Sequence, residues 1–265
     1  AALAAVDDMS NNGKDYAFGG GVKFGYLGEL IDGMTVGFSY QSKMFMTEHD
    51  DYSDTLAESG DLDIPATATF GIAWSMTPKS TLLLDVQYLF YEDVDSIGNS
   101  ITKLANCPTS GVLTAGGAGQ AAPAVGAGNA ANCFGGNNGA GFGWSDMTVL
   151  KLGWEWESNP EWTWRVGYSH GKQPIPSSET AFNILAPATV ENHVTFGFTK
   201  KTGKDSAFNF AAMYAPKSSV TGQSTIIGSF DINGIPGADA NGNIAQDTEL
   251  EMMQYGFEVS WTSRW

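Results

Sequence analysis

The stretch Tyr255-Gly-Phe-Glu-Val-Ser-Trp-Thr-Ser-Arg-Trp265 decides how the rest of the chain is read. Every second residue gives Tyr255, Phe257, Val259, Trp261, Ser263 and Trp265. The residues between them are Gly256, Glu258, Ser260, Thr262 and Arg264. A period of two belongs to a β-strand, because successive side chains leave a strand on opposite faces. One face of this strand is therefore apolar and the other small or polar. In a soluble sandwich the apolar face would need a second sheet to cover it.

Eight further runs show the same alternation. The first carries Tyr16, Phe18, Val22, Phe24 and Tyr26 on one face, and the second Met34, Val36, Phe38 and Tyr40. The third carries Ala66, Ala68, Phe70, Ile72, Trp74 and Met76, and the fourth Leu82, Leu84, Val86, Tyr88 and Phe90. Leu150, Leu152, Trp154 and Trp156 mark the fifth. Trp162, Trp164, Val166 and Tyr168 mark the sixth. Val194, Phe196 and Phe198 mark the seventh, and Phe208, Phe210, Ala212 and Tyr214 the eighth. The alternate positions hold Gly71, Asp85, Gln87, Lys151, Glu155, Arg165 and Ser169.

The connections alternate in length. Short turns fall at 28–33, 77–80, 157–161 and 201–205, and long loops at about 46–63, 92–142, 172–189 and 217–246. Short turns at one end and long loops at the other are the plan of an outer-membrane barrel. A soluble barrel would instead fill its interior with apolar side chains and wet its outside. Trp74, Trp154, Trp156, Trp162, Trp164 and Trp265 lie near strand ends, where a membrane-interface belt would place them. A strand ending on an aromatic residue resembles the terminal assembly signal of such barrels, carried here by Phe257, Val259, Trp261 and Trp265. The expected fold is all-β: an antiparallel transmembrane β-barrel whose wall occupies residues 14–265, with 1–13 the remnant of an extracellular loop.

Composition agrees. Of 265 residues, 33 are glycine and 12% are aromatic, which suits many turns and aromatic girdles. No run approaches the roughly 18 apolar residues of a membrane helix. A net charge of −16 argues against nucleic acid as a partner, since phosphates call for Lys and Arg. Nine alternating strands start and end in the same direction, so closing them on themselves would pair first with last in parallel. An antiparallel barrel does not allow this. The expectation is that further amino-terminal strands complete the barrel.

Particular stretches also resemble the carboxyl-terminal half of the FadL family. They are Trp162-Thr-Trp-Arg-Val-Gly-Tyr168, Gly171-Lys-Gln-Pro-Ile-Pro176 and Phe182-Asn-Ile-Leu-Ala-Pro187, together with Gly37-Phe-Ser-Tyr-Gln-Ser42, Asp63-Ile-Pro-Ala66 and Leu84-Asp-Val-Gln87. The match runs in order from about Gly13 to Trp265. The resemblance implies an outer-membrane channel for long-chain fatty acids or other hydrophobic compounds, embedded in lipid and lipopolysaccharide and without catalysis or cofactor. It implies a fourteen-strand barrel with an amino-terminal plug carrying an Asn-Pro-Ala motif. These nine strands would be its last nine; the plug and the first five strands have no counterpart here. A structural or adhesion barrel, or a porin for polar solutes, is the competing reading.

Several motifs need weighing. Gly167-Tyr-Ser-His-Gly171 matches G-x-S-x-G, but a nucleophile elbow needs a strand–turn–helix context, and Lys172-Gln-Pro-Ile-Pro176 follows. His49, His170 and His193 have no metal-ligand spacing. Cys107 and Cys133 share one Gly/Ala-rich loop, and in an oxidising compartment they are expected to form a disulfide. Asp239, Asn241 and Asn243 look like the start of a calcium loop, yet Ile244 and Leu250 stand where glycine and glutamate belong. The acidic run Glu48, Asp50, Asp51, Asp54, Glu58, Asp61 and Asp63 reads as a solvated face, or as a cation bridge to lipopolysaccharide phosphates. Asp85, Gln87, Lys151, Glu155 and Arg165 are the candidate lumen residues. They either brace the wall as an ion-pair network or meet a substrate's carboxylate head group through Lys151 or Arg165.

Overall fold

The computed structural model describes residues 12–55, 57–107, 129–223 and 247–263. Nine strands form one antiparallel sheet in chain order: β1 (Lys23–Ile31), β2 (Met34–Gln41), β3 (Thr67–Thr77), β4 (Ser80–Leu89), β5 (Met147–Asn159), β6 (Trp162–Gly171), β7 (Asn192–Lys201), β8 (Ser206–Gln223) and β9 (Asp247–Ser263). Each strand pairs with its sequence neighbours, and β1 and β9 are the edges of a sheet that is not closed. The short connections all lie at one end. Asp32-Gly33 joins β1 to β2 with Gly33 at φ +76°, a left-handed conformation that glycine adopts without steric cost.

The register turns nine separate alternations into two continuous faces. Tyr26, Phe38, Phe70, Val86 and Leu150 stand in one row across five strands. The adjacent row on the same face runs Val36, Ile72, Leu84, Leu152, Tyr168, Val194, Tyr214, Tyr255. Toward the short turns this face gathers rings. Trp162 stacks on Trp164 at 5.2 Å, Trp154 on Trp156 at 4.5 Å, and Phe198 on Phe210 at 5.5 Å. Lys200 lies over the Trp162 ring. The opposite face carries Gly71, Asp85, Lys151 and Ser169 in one row and Thr81, Glu155 and Arg165 in another.

The large apolar side chains of the sheet are exposed. Phe257 is 77% accessible, Tyr255 74% and Leu152 49%. Among the described residues the buried apolar set lies almost wholly in the long loops: Val94, Ile97, Ile101, Leu104, Ala140, Ile175 and Phe182. A soluble domain rarely exposes more than a few hundred Å² of contiguous apolar surface. A face this broad is stable only against hydrocarbon, where its backbone groups are already satisfied by the sheet ladder.

Several boundaries differ from those expected. The first strand begins at Lys23, not near Tyr16. Gly19–Gly20 instead pairs with Phe45–Met46, and the glycine side of that pair lets the two backbones approach closely. The loops run from 42–66, 90–146 and 172–191. Residues 217–223, expected in a loop, continue β8: after a bulge between Ala215 and Ser218, residues Ser218–Gln223 pair with Asp247–Met252. With 18 and 17 residues, β8 and β9 exceed the roughly ten a membrane strand needs. Trp265 and the Asp239, Asn241, Asn243 stretch lie outside the described residues.

Candidate functional site

The polar face is built from cross-strand neighbours. Asp85 stands directly opposite Lys151, yet the Lys151 ammonium donates to Gln87 Oε1 at 2.8 Å. Farther toward the short turns, Arg165 stands opposite Glu155, and its Nε donates to Glu155 Oε2 at 2.6 Å. A second guanidinium nitrogen donates to Thr199 at 2.8 Å, and the Thr199 hydroxyl donates to Asn209 Oδ1 at 2.9 Å. Asn209 then donates to Ser260 at 3.3 Å. The chain of bonds crosses five strands, β5 to β9.

The five residues named from sequence therefore share one face but not one network. Four of them form a Gln87–Lys151 pair and a Glu155–Arg165 pair, Asp85 stands beside the first without joining it, and the second pair extends into neutral residues. Thr199, Asn209 and Ser260 were missed. Their signal was parity: each alternates with Phe198, Phe208, Phe210, Val259 or Trp261 and so belongs to the polar side. Beside Arg165 this face has a shallow depression of about 580 Å³ over Gly197, Ala211 and Gly256, rimmed by Thr195, Asn209 and Glu258.

Ser169 lies inside β6, opposite Lys151 and His193, and not on a strand-to-helix turn. A nucleophile elbow is thus ruled out by its backbone setting. Among the described residues no three His, Cys, Asp or Glu side chains converge as a metal site.

At the opposite end of the sheet from the short turns, two long loops pack into a small cap. Ile101, Leu104, Ala140 and Phe182 form its core, with Phe134 and Phe142 against them. Glu179 is 3% accessible and accepts hydrogen bonds from Ile101 N–H at 3.0 Å and the Ser100 hydroxyl at 2.7 Å. Asn183 is fully buried. Its amide donates to the carbonyls of Phe142 and Glu179, and its oxygen accepts from Trp144 Nε1. Cys107 and Cys133 form a disulfide with Cα atoms 4.8 Å apart, tying the feet of the Gly/Ala-rich segment to the cap.

The acidic run is not one solvated face. Asp63 is 4% accessible, pairs with Lys43 at 2.9 Å, and accepts the Met46 N–H at 2.7 Å. A carboxylate two residues after another, and opposite a lysine twenty residues away, gives no sequence signal of burial.

Comparison with known proteins fits this geometry. No curated protein matches the sequence. Among solved structures, the toluene transporter TodX of P. putida superposes with a TM-score of 0.52 at 16% identity, over 94% of this chain and 50% of that one. A FadL homologue of Pseudomonas aeruginosa gives 0.57 at 12% identity, over 92% and 52%. A TodX variant described as a deltaS2S3 monoaromatic hydrocarbon channel gives 0.55 at 18%, over 97% and 53%. The chain thus spans about half the length of the solved structures it matches, and the likeness establishes the fold, the wall of a β-barrel. The model of the family described as outer membrane protein transport protein (OMPP1/FadL/TodX) matches residues 4–257, and the chain belongs to that bacterial outer-membrane family.

Proposed function

We propose that the protein containing this sheet lets hydrophobic small molecules cross the outer membrane by facilitated diffusion, without catalysis. The observation that carries the reading is the family match over nearly the whole chain. Its similarity to a toluene transporter points the same way. The two faces supply the physical setting. The apolar face meets lipid, and the polar face, with Asp85, Gln87, Lys151, Glu155 and Arg165, lines the lumen. Lys151 and Arg165 are already engaged by neighbouring side chains, which supports bracing of the wall as their main role. Lipid and lipopolysaccharide are the surrounding partners, and additional strands close the barrel.

Proteoliposomes carrying the full-length protein test this. Uptake of toluene or a long-chain fatty acid above that of empty liposomes is the expected result. Swelling in sugar solutions without hydrophobic uptake would instead identify a polar-solute porin. Neither activity would favour a structural or adhesion barrel.

A further inference from the structure

The loop 42–66 is held to the loop 90–146 by a strained turn with an acidic base. Glu58 (φ 56°, ψ 42°) and Ser59 (φ 59°, ψ 36°) are both left-handed, which residues with a Cβ resist. External contacts keep them there. The amide of Ala57 donates to Ala140 O at 3.1 Å, that of Glu58 to Gly136 O at 3.0 Å, and that of Ser59 to Gly135 O at 2.9 Å. The Ser96 hydroxyl donates to Asp61 O. Asp61 lies against the buried Asp63, and its own Oδ1 is buried with no hydrogen-bond partner among the described residues.

We propose that Asp61 and Asp63 make this docked turn a pH-sensitive latch, which tightens on the loop 90–146 as the outside becomes acidic. The charges at the turn are unbalanced. Asp61 is faced by Asp63 and Glu58, with Lys43 the cation among the groups acting on it. From the loop 90–146, Asp95 faces Glu58, and Glu48 adds to the same field. Lys43 is committed to Asp63. Burial, then the Asp63 charge, pushes the Asp61 carboxyl up to about 6. An ordinary aspartate ionises near 3.9. Asp63, Glu58 and Lys43 stay with Asp61 on its own loop, so it is burial against the loop 90–146, where the Ser96 hydroxyl meets Asp61 O, that makes the docked state bind the proton more tightly than the released state. Docking is strongest below about pH 4, weakens as pH rises toward 6, and is level above that. Between pH 5 and 7.5 the docking constant falls at most about tenfold.

Hydrogen exchange on the full chain in detergent micelles tests this at Ala57, Glu58 and Ser59, as protection factors corrected for intrinsic rates. Several-fold greater protection at pH 5 than at pH 7.5 is expected. Asp61→Asn should be protected equally at both. The loop's histidine, His49, faces Asp15 at 3.7 Å and is untouched by that substitution, so the variant separates the two groups. Equal protection of the unmodified protein at both pH values, or the same pH step in Asp61→Asn, overturns the proposal. Should the variant not fold, a carboxyl-carbon NMR titration of Asp61 decides. A midpoint near 6 supports the latch, and one near 4 overturns it.

Discussion

On the proposed reading, single side chains on the two faces of the sheet meet different solvents, and this makes their substitutions unequal. Glu155 and Arg165 are close to half exposed on the polar face, so their ion pair is screened by water. Exposed pairs of this kind contribute up to about 1 kcal/mol. Arg165→Gln should lower the unfolding free energy by no more than that in a denaturant titration in bilayers. Leu152→Arg places a guanidinium on the apolar face, where the cost at the bilayer midplane is about 2–4 kcal/mol. Equal losses for the two variants would mean that the faces have been assigned to the wrong solvents. Glu179 is the sharper case within the cap. Glu179→Ala strips the buried Ile101 N–H of its acceptor, an omission worth about 1–3 kcal/mol, and faster hydrogen exchange at residues 100–104 should report it. Glu179→Gln retains an acceptor oxygen and should exchange more slowly than the alanine variant.

At the scale of elements, the loop between β4 and β5 depends on its crosslink. Cys107 and Cys133 are 26 residues apart, and closing such a loop removes about 3.5 kcal/mol of unfolded-chain entropy in the polymer estimate. Non-reducing mass spectrometry should recover the two cysteines in one linked peptide pair. After reduction, proteolysis in residues 130–142 should accelerate while the strands stay resistant. Two alkylatable thiols in protein taken directly from the outer membrane would contradict the pairing. The strands themselves were legible because period two is written locally: Phe208, Phe210 and Ala212 declare a face without reference to any other strand. The cap was not. Glu179 meets Ile101 across 78 positions, and Trp144 meets Asn183 across 39, and neither pairing leaves a periodic trace. The polar ladder fell between these cases. Its charged members stood out, whereas Thr199, Asn209 and Ser260 are neutral residues whose role appears only once the register aligns them. The first strand was misplaced for a related reason. Tyr16 and Phe18 continue the alternation in sequence, but the run Gly19-Gly20-Gly21 interrupts it and lets the backbone pair with Phe45–Met46 instead.

Across the whole molecule, register is a single decision shared by all nine strands. Slipping one strand by one residue would move its entire apolar set to the other face, so the assignment holds everywhere or fails everywhere. Val86 and Leu152 stand in adjacent rows of the face that also holds Trp154, which pairs with Val166. Asp85 pairs with Lys151 on the other face, where Arg165 pairs with Glu155. Single cysteines at 86, 152 and 166 should therefore react with a lipid-soluble maleimide and resist a charged one. Cysteines at 85, 151 and 165 should show no labelling from the bilayer. The energetic stake is the cost of an unpaired charge in hydrocarbon. The row from Val36 to Tyr255 holds only aromatic and aliphatic side chains, and the row beginning at Tyr26 does so as far as Leu150 before it continues to His170 and Asn192. Bilayer labelling at 151 or 165 would require the sheet to be turned over. Its aromatic face would then have to be the packed core of a soluble protein, a role that its exposed Phe257, Tyr255 and Trp261 do not play.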